Sequence, residues 1–168
     1  KPGADYGAMR EVSRGKDTTI GHWEIAGLEL KRGFHLFPPG PPSFPAGLVE
    51  AFERRTGRRL IGNRAASGVA IIAELGPRQM ETGEWIVYTS ADSVLQIAAH
   101  ETHFGLARLL EVCALARELV DEYRIARVIA RPFVGEDEAG FMRTGNRRDF
   151  SMPAPRPTVL DLLCAAGG

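Results

Sequence analysis

The sequence predicts an α+β fold, and three stretches carry that prediction. From Leu106 to Tyr123, the residues Leu106, Leu109, Leu110, Cys113, Ala116 and Val120 recur at helical spacing. Arg108, Glu111, Glu118 and Glu122 populate the other side, as in an amphipathic helix. Arg124–Arg131 reads as a strand that alternates, with Arg127, Ile129 and Arg131 on one face and Ala126, Val128 and Ala130 on the other. Trp85–Thr89 is apolar and β-branched, which predicts a buried strand. The small apolar face of the 124–131 strand is expected to lie on the long helix. The opposite face then presents two guanidiniums around an isoleucine.

The remaining elements follow in chain order. Ala4–Ser13 places Tyr6, Ala8, Arg10 and Val12 on one strand face, although MREV also fits a helix. Gly15–Glu24, GKDTTIGHWE, reads as a turn and a helix start, with Gly15 free to turn and Asp17, Thr18 and Thr19 of the capping types. The helix is expected over 18–28. A threonine hydroxyl there would meet unpaired backbone N–H groups at the positive end of the helix dipole, an anion site to which Lys16 adds charge, or else it is a simple cap. Phe34–Phe37 is a strand or extended segment. PPGPPSFP (38–45) holds five prolines in eight residues, so it cannot be helical and reads as a stiff connector, a hinge between lobes.

Leu48–Thr56 reads as a helix closed by Gly57, and Arg59–Gly62 as a short strand. Ser67 is a candidate cap for a helix over Val69–Leu75 that Gly76 ends, with a break at Gly-Pro-Arg (76–78). SADS (90–93) is a turn. Val94–His100 fits strand or helix, because an unbroken apolar run does not decide. Phe141–Thr144 is a candidate strand. Thr158–Ala165 is a short helix after Pro153, Pro155 and Pro157.

Composition narrows the function. Lys plus Arg and Asp plus Glu are 21 each in 168 residues, and 44% of the residues are hydrophobic, which predicts a packed core. Zero net charge and the lack of interleaved aromatics argue against a nucleic-acid binder built on Arg124–Arg148. No apolar run approaches about 18 residues, so no membrane span is expected. Two distant cysteines, Cys113 and Cys164, fit a reducing cytoplasm, with Cys113 buried on its helix.

Two constellations could bind a ligand. Arg127 and Arg131, followed by Arg143, Arg147 and Arg148, offer guanidinium forks for phosphate, unless they are solvated arginines paired with acids. The SADS turn ends a buried strand, where Ser90 and Asp92 either meet a ligand or form an Asx turn. His100, Glu101 and His103 lack the H-E-x-x-H spacing, which favours a structural role over a metal site. His22 and His35 have no clustered partner. No P-loop, G-x-S-x-G elbow or dinucleotide fingerprint is present.

GKDTTIGHWEIAGL resembles the phosphothreonine segment of phosphopentomutases, metal-dependent enzymes of the alkaline phosphatase superfamily. The resemblance continues through IGNRAASG (61–68), METGEWIVYTSADSVLQIAAHE (80–101), ARVIARPFVGE (126–136) and FMRTGNRRDF (141–150). It implies that Thr18 is the catalytic nucleophile. It also implies that Ser90, Asp92, Val94, Arg127, Ile129 and Arg143 bind substrate. The family has a second threonine where this chain has Ile20.

The implied fold is a cap domain with a mixed sheet of about four strands flanked by helices, plus pieces of an alkaline-phosphatase-like α/β core. Residues 1–32 would belong to that core with the phosphothreonine turn, 33–150 to the cap, and 151–168 to the return segment. The implied parent reaction interconverts ribose 1-phosphate and ribose 5-phosphate, and their deoxyribose analogues, in the cytoplasm. It uses two Mn2+ ions, with glucose 1,6-bisphosphate or a similar sugar as activator. The family's metal-ligand motifs are absent from this sequence, so the chain is expected to be an internal segment, inactive alone and partnered by the missing core. The rival reading is a non-catalytic phosphosugar- or nucleotide-binding module. Within the cap, Arg127 is expected to serve substrate, and Arg131, ahead of Pro132, to hold the fold.

Overall fold

The computed structural model describes residue 3 and residues 7–168. It divides into two compact units, Lys1–Gly33 with Ala154–Gly168, and Phe34–Pro153.

The larger unit is a mixed sheet with helices on both faces. In chain order it holds α2 (Ala46–Thr56), β1 (Leu60–Ala65), α3 (Gly68–Thr82), β2 (Trp85–Thr89), β3 (Val94–His100), a π-helical turn (Glu101–Gly105), α4 (Leu106–Val120), β4 (Arg127–Val134), β5 (Met142–Arg143) and β6 (Arg148–Ser151). The sheet runs β1-β2-β3-β4-β5, with β6 also on β4. The pairs β1/β2 and β3/β4 are parallel, joined through α3 and α4. The β2/β3 hairpin and the pairs of β4 with β5 and β6 are antiparallel. The chain is thus α+β as expected, with four main strands and two short ones added along the far edge of β4.

Alternation sorts the side chains. Trp85, Val87, Leu95, Ile97, Val128 and Ala130 point to one face and pack under α2 and α4, through Leu48, Phe52, Leu109, Cys113 and Val120. This is the predicted contact between the small face of β4 and the long helix. Ile61, Ile86, Tyr88, Ala98 and Phe133 point to the other face, where Ile71 and Ile72 of α3 cover them. β3 is buried along its whole length because it has cover on both faces, which resolves it as a strand.

Several expectations need correction. α3 does not stop at Gly76 but runs through Gly76 and Pro77 to Thr82. Gly76 is there for close approach: a Cβ on it would lie 2.5 Å from the Phe141 ring. Of the two readings of Phe34–Phe37, strand or extended segment, the strand is not formed; Phe34 and Phe37 are buried, and Phe37 meets Phe44 edge to face at 4.9 Å. The proline-rich segment is no hinge between the units, since it lies wholly within the larger one. The strand pattern ends later than Arg131, at Val134, and β6 has no counterpart among the predicted strands.

The smaller unit contains α1 (Thr18–Ile25) and α5 (Val159–Ala165). Ala4, Asp5 and Tyr6 lie outside the described residues, and residues 7–13 form no strand. The Glu24 carboxylate instead accepts the backbone N–H groups of Val12 and Ser13, each at 2.8 Å, and Ser13 Oγ accepts from Leu30 N–H. Hydrogen bonds from Ser13 and Val12 hold the Glu24 carboxyl below its ordinary value. α5 begins with a reciprocal cap in which Asp161 accepts from both the N–H and the hydroxyl of Thr158.

Cys113 is fully buried against the sheet and Cys164 is exposed. Burial pushes the Cys113 thiol well up, so its thiolate is scarce. Titration with an aromatic disulfide reagent is expected to modify Cys164 quickly in the native chain and Cys113 only after denaturation. Rapid modification of both in the native chain would contradict this packing.

Candidate functional site

The helix over the second face covers only part of it. α3 packs on β1, β2 and β3, and its isoleucines meet the apolar side chains of that face. The β3/β4 register sets Val94 opposite Arg127, Gln96 opposite Ile129, and Ala98 opposite Arg131. Tyr88 of β2 lies opposite Gln96. Directly opposed residues share a face, so Tyr88, Val94, Gln96, Arg127, Ile129 and Arg131 form one floor.

Arg127 is the centre of its charge network. Its guanidinium donates from Nη1 to Asp149 Oδ2 at 3.1 Å and lies 3.8 Å, at Nη2, from Asp92 Oδ2. Arg147 grips the same Asp149 through Nε and Nη2, both at 2.7 Å. Burial pushes the Asp149 carboxyl up, but the hydrogen bonds and charges of Arg147 and Arg127 outweigh it and hold it below the usual aspartate value. The Arg127 side chain is 7% exposed and Asp92 43%. Truncating Arg127 would leave Asp149 to Arg147 alone and open a buried site. Its burial and ion pairs also give Arg127 a part in holding the fold.

Arg131 donates from Nε to Gln96 Oε1 at 3.1 Å. Beside it, Arg131, Pro132, Arg143, Thr144 and Arg147 line an open cavity of about 510 Å³. Arg131 thus both ties to β3 and lines this cavity. Thr144 and Asn146, which shape this loop, are held by Glu101, whose carboxylate accepts from Thr144 Oγ1 at 2.6 Å and from Asn146 Nδ2 at 2.7 Å. His100 Nδ1 accepts from His103 N–H, so Nε2 carries the proton and donates to the Gly135 carbonyl at 2.8 Å. These three residues therefore brace the loop around the cavity. Among the described residues, no three His, Cys, Asp or Glu side chains gather to hold a metal ion.

The structure brings together Asp92, Val94, Arg127 and Ile129. Ser90 sits in the same β2–β3 turn, where its Oγ accepts from Asp92 N–H at 3.4 Å. Arg143 stands on the cavity wall, opposite Phe133 in the sheet. Asp149, Gln96 and Tyr88 are members that sequence reasoning missed. A lone glutamine inside the apolar run VLQIAA was the available signal for Gln96.

In the smaller unit, Asp17 is the N-cap of α1, with its Oδ1 accepting from Thr19 N–H at 2.9 Å. Thr18 is the first helical residue and is exposed. The anion site read around a threonine is therefore already partly filled by a carboxylate. The Thr18 hydroxyl lies 3.5 Å from His22 Nδ1, which in turn is 2.7 Å from the Thr18 carbonyl. His22 thus has a partner that the sequence did not reveal. Ile20 is fully buried.

Comparison with known proteins agrees along almost the whole chain. A phosphopentomutase of Sinorhizobium medicae is 58% identical over 163 residues, covering 96% of this chain and 40% of the relative. That of Elusimicrobium minutum is 53% identical over 97% of this chain and 41% of the relative. That of Levilactobacillus brevis is 54% identical over 99% and 42%. Its relatives are phosphopentomutases. No protein-family model matches the chain. The chain spans about 40% of the length of these phosphopentomutases.

The charge network predicts a pH signature. A carboxyl depressed in the folded state contributes stability that is complete above its unfolded value, about 3.9. That stability is lost as pH falls through the lower folded value. Asp149→Asn is expected to cost about 2 kcal/mol at neutral pH. Its melting temperature should begin to converge on that of the parent chain as pH falls below about 4, and meet it only below the lower folded value. A deficit that is the same at every pH would show that the Asp149 charge plays no part.

Proposed function

We propose that these 168 residues act within a phosphopentomutase, as its substrate-binding unit and its nucleophile segment. The observation that carries the reading is the convergence of Asp92, Val94, Arg127 and Ile129 on one stretch of sheet, beside an arginine-walled cavity. Guanidiniums hold phosphate by two-point contact. Asp92, half out of its ion pair and partly exposed, accepts from sugar hydroxyls. Val94 and Ile129, both buried, lie in the same stretch of sheet and belong to the same proposed site. Ribose 5-phosphate, ribose 1-phosphate and their deoxyribose analogues fit that chemistry.

In this proposal Phe34–Pro153 is the cap and the smaller unit belongs to the phosphatase-like core. Thr18 carries the phosphoryl group. The Thr18 Oγ–P bond breaks as a sugar oxygen bonds the same phosphorus, giving a sugar bisphosphate. The sugar's other phosphate then returns to Thr18 Oγ. A sugar such as glucose 1,6-bisphosphate supplies the first phosphoryl group. Exposed, the Thr18 hydroxyl is free to take it. The metal ions implied by the resemblance, manganese in that family, do not fit the described residues, so no step is assigned to them here. Exposed Leu160, Leu162 and Leu163 on α5 support a role for the smaller unit beneath further polypeptide. No helix is long and apolar enough to cross a membrane, and pentose phosphates are compatible with work in the cytoplasm.

In the full-length polypeptide, incubation with a sugar bisphosphate should leave a phosphoryl group on Thr18, found by peptide mass spectrometry. Thr18→Ala should have none, while its fold loses about 1 kcal/mol or less. A phosphoryl group on Thr19, or one retained in the variant, would refute the assignment. Binding of ribose 5-phosphate with no phosphoenzyme would favour a non-catalytic phosphosugar- or nucleotide-binding module. Arg127→Lys should weaken ribose 5-phosphate use by about 2 kcal/mol or more, because an ammonium cannot make the planar two-point contact. Full activity in that variant would remove Arg127 from the site.

A further inference from the structure

The larger unit begins at Phe34 and ends at Pro153. Its first and last segments are fastened at one place, the residues that lead into β4. The His35 N–H donates to the Arg124 carbonyl at 3.1 Å, and the Met152 N–H to the Ala126 carbonyl at 2.8 Å. A side chain completes the fastening. Ser93 donates its hydroxyl proton to the His35 carbonyl, 58 positions away, and accepts the Ala126 N–H at 3.0 Å. Its own carbonyl accepts the Arg127 N–H at 3.2 Å.

Burial gives these bonds their weight. Ser93 and Ala126 are fully buried, so water cannot stand in for a lost partner. A hydroxyl gives one proton and takes another at the same oxygen, which a methyl cannot. The two serines of the SADS turn thus differ. Ser90 is half-buried and accepts from Asp92 N–H, within the turn. Ser93 ties the turn to distant chain.

The tie also lies among the residues read as ligand contacts. Asp92 precedes Ser93 and Val94 follows it, while Arg127 follows Ala126. A shift of the Asp92 or Arg127 backbone therefore bears on His35 through the Ser93 hydroxyl, and on Met152 through Ala126. We propose that Ser93 is a positioning residue that makes the Asp92–Arg127 pair and the two end segments of the larger unit one assembly, so that a ligand held by the pair also orders those segments. Such coupling is reciprocal: order at the ends favours binding as much as binding favours order. Phe34 and Pro153 are also where the chain passes to the smaller unit, so binding reaches the covalent links between the units. The role rests on the reading of Asp92 and Arg127 as sugar-phosphate contacts.

The test is amide hydrogen exchange in the full-length polypeptide, parent and Ser93→Ala, with and without ribose 5-phosphate. Without the sugar, Ser93→Ala should speed exchange about tenfold in 34–37, 91–94 and 151–153 together and leave α4 as it was. Acceleration confined to 91–94, or equal across the whole larger unit, overturns the assembly. With the sugar, the parent should gain protection at 34–37 and 151–153 as well as at 91–94, and Ser93→Ala should keep the gain at 91–94 alone. A merely structural serine would raise exchange in the variant without removing the ligand's effect on the end segments. Sugar that protects 91–94 of the parent but neither end segment, or end-segment protection that survives in Ser93→Ala, overturns the coupling. If Ser93→Ala does not fold, His35→Pro takes its place. It deletes the N–H bonded to Arg124 at an exposed residue, and 91–94 and 151–153 are read in the same way. If the sugar protects no segment of the parent while the sugar-free pattern holds, the Ser93 assembly stands and the pentose phosphate reading falls.

Discussion

The pairing of Arg127 with Asp149 is the interaction on which the binding face depends. A guanidinium with 7% exposure cannot stay charged and unpartnered without a large desolvation penalty. Asp149 meets it from β6, a strand reached only after the chain has left β4, made the 135–147 loop and come back. The pair therefore closes that loop against the strand and brings Arg147 with it. Asp92 completes the arrangement from the hairpin side. The result is a set of charges held in place by one another, Arg127 and Arg147 on Asp149 with Asp92 beside them.

Cover by α3 accounts for the apolar half of that sheet face. The apolar part of that sheet face, through Ile86, Ala98 and Phe133, lies with Ile71 and Ile72. The polar part is tied by its own side chains, Arg131 to Gln96 and Arg127 to Asp149. Phe141, packed over Gly76, fastens the far loop to the same helix. One helix thus covers the core and anchors the loop.

Much of this was legible in the sequence, and the parts that were not share a cause. The two-residue period set Arg127, Ile129 and Arg131 on one face without any tertiary knowledge, and the long helix declared itself by its spacing. β3 was ambiguous because cover on both faces erases alternation. Gly76-Pro77 looked like a stop because the reason for that glycine, Phe141, is 65 positions away. Asp149 was hidden in a polar stretch, NRRDF, whose strand character comes only from pairing with β4. Ser13 looked like the end of a strand, but a carboxylate from α1 satisfies the backbone there. Local pattern therefore revealed elements and faces, whereas the residues that close the site depend on partners distant in sequence.

β1 is the outermost strand on its side of the sheet, and PPGPPSFP runs along it. The Ala65 N–H donates to the Pro39 carbonyl at 2.8 Å, and the Ser43 N–H to the Asn63 carbonyl at 3.0 Å. Proline has no N–H with which to continue a ladder. The segment therefore occupies the strand's outward hydrogen-bonding groups without offering a new edge in their place. An open edge strand is where sheets of separate molecules join and aggregate. The prolines that look like a mere spacer act here as a terminator, keeping a sheet rich in valine and isoleucine from growing beyond its own molecule.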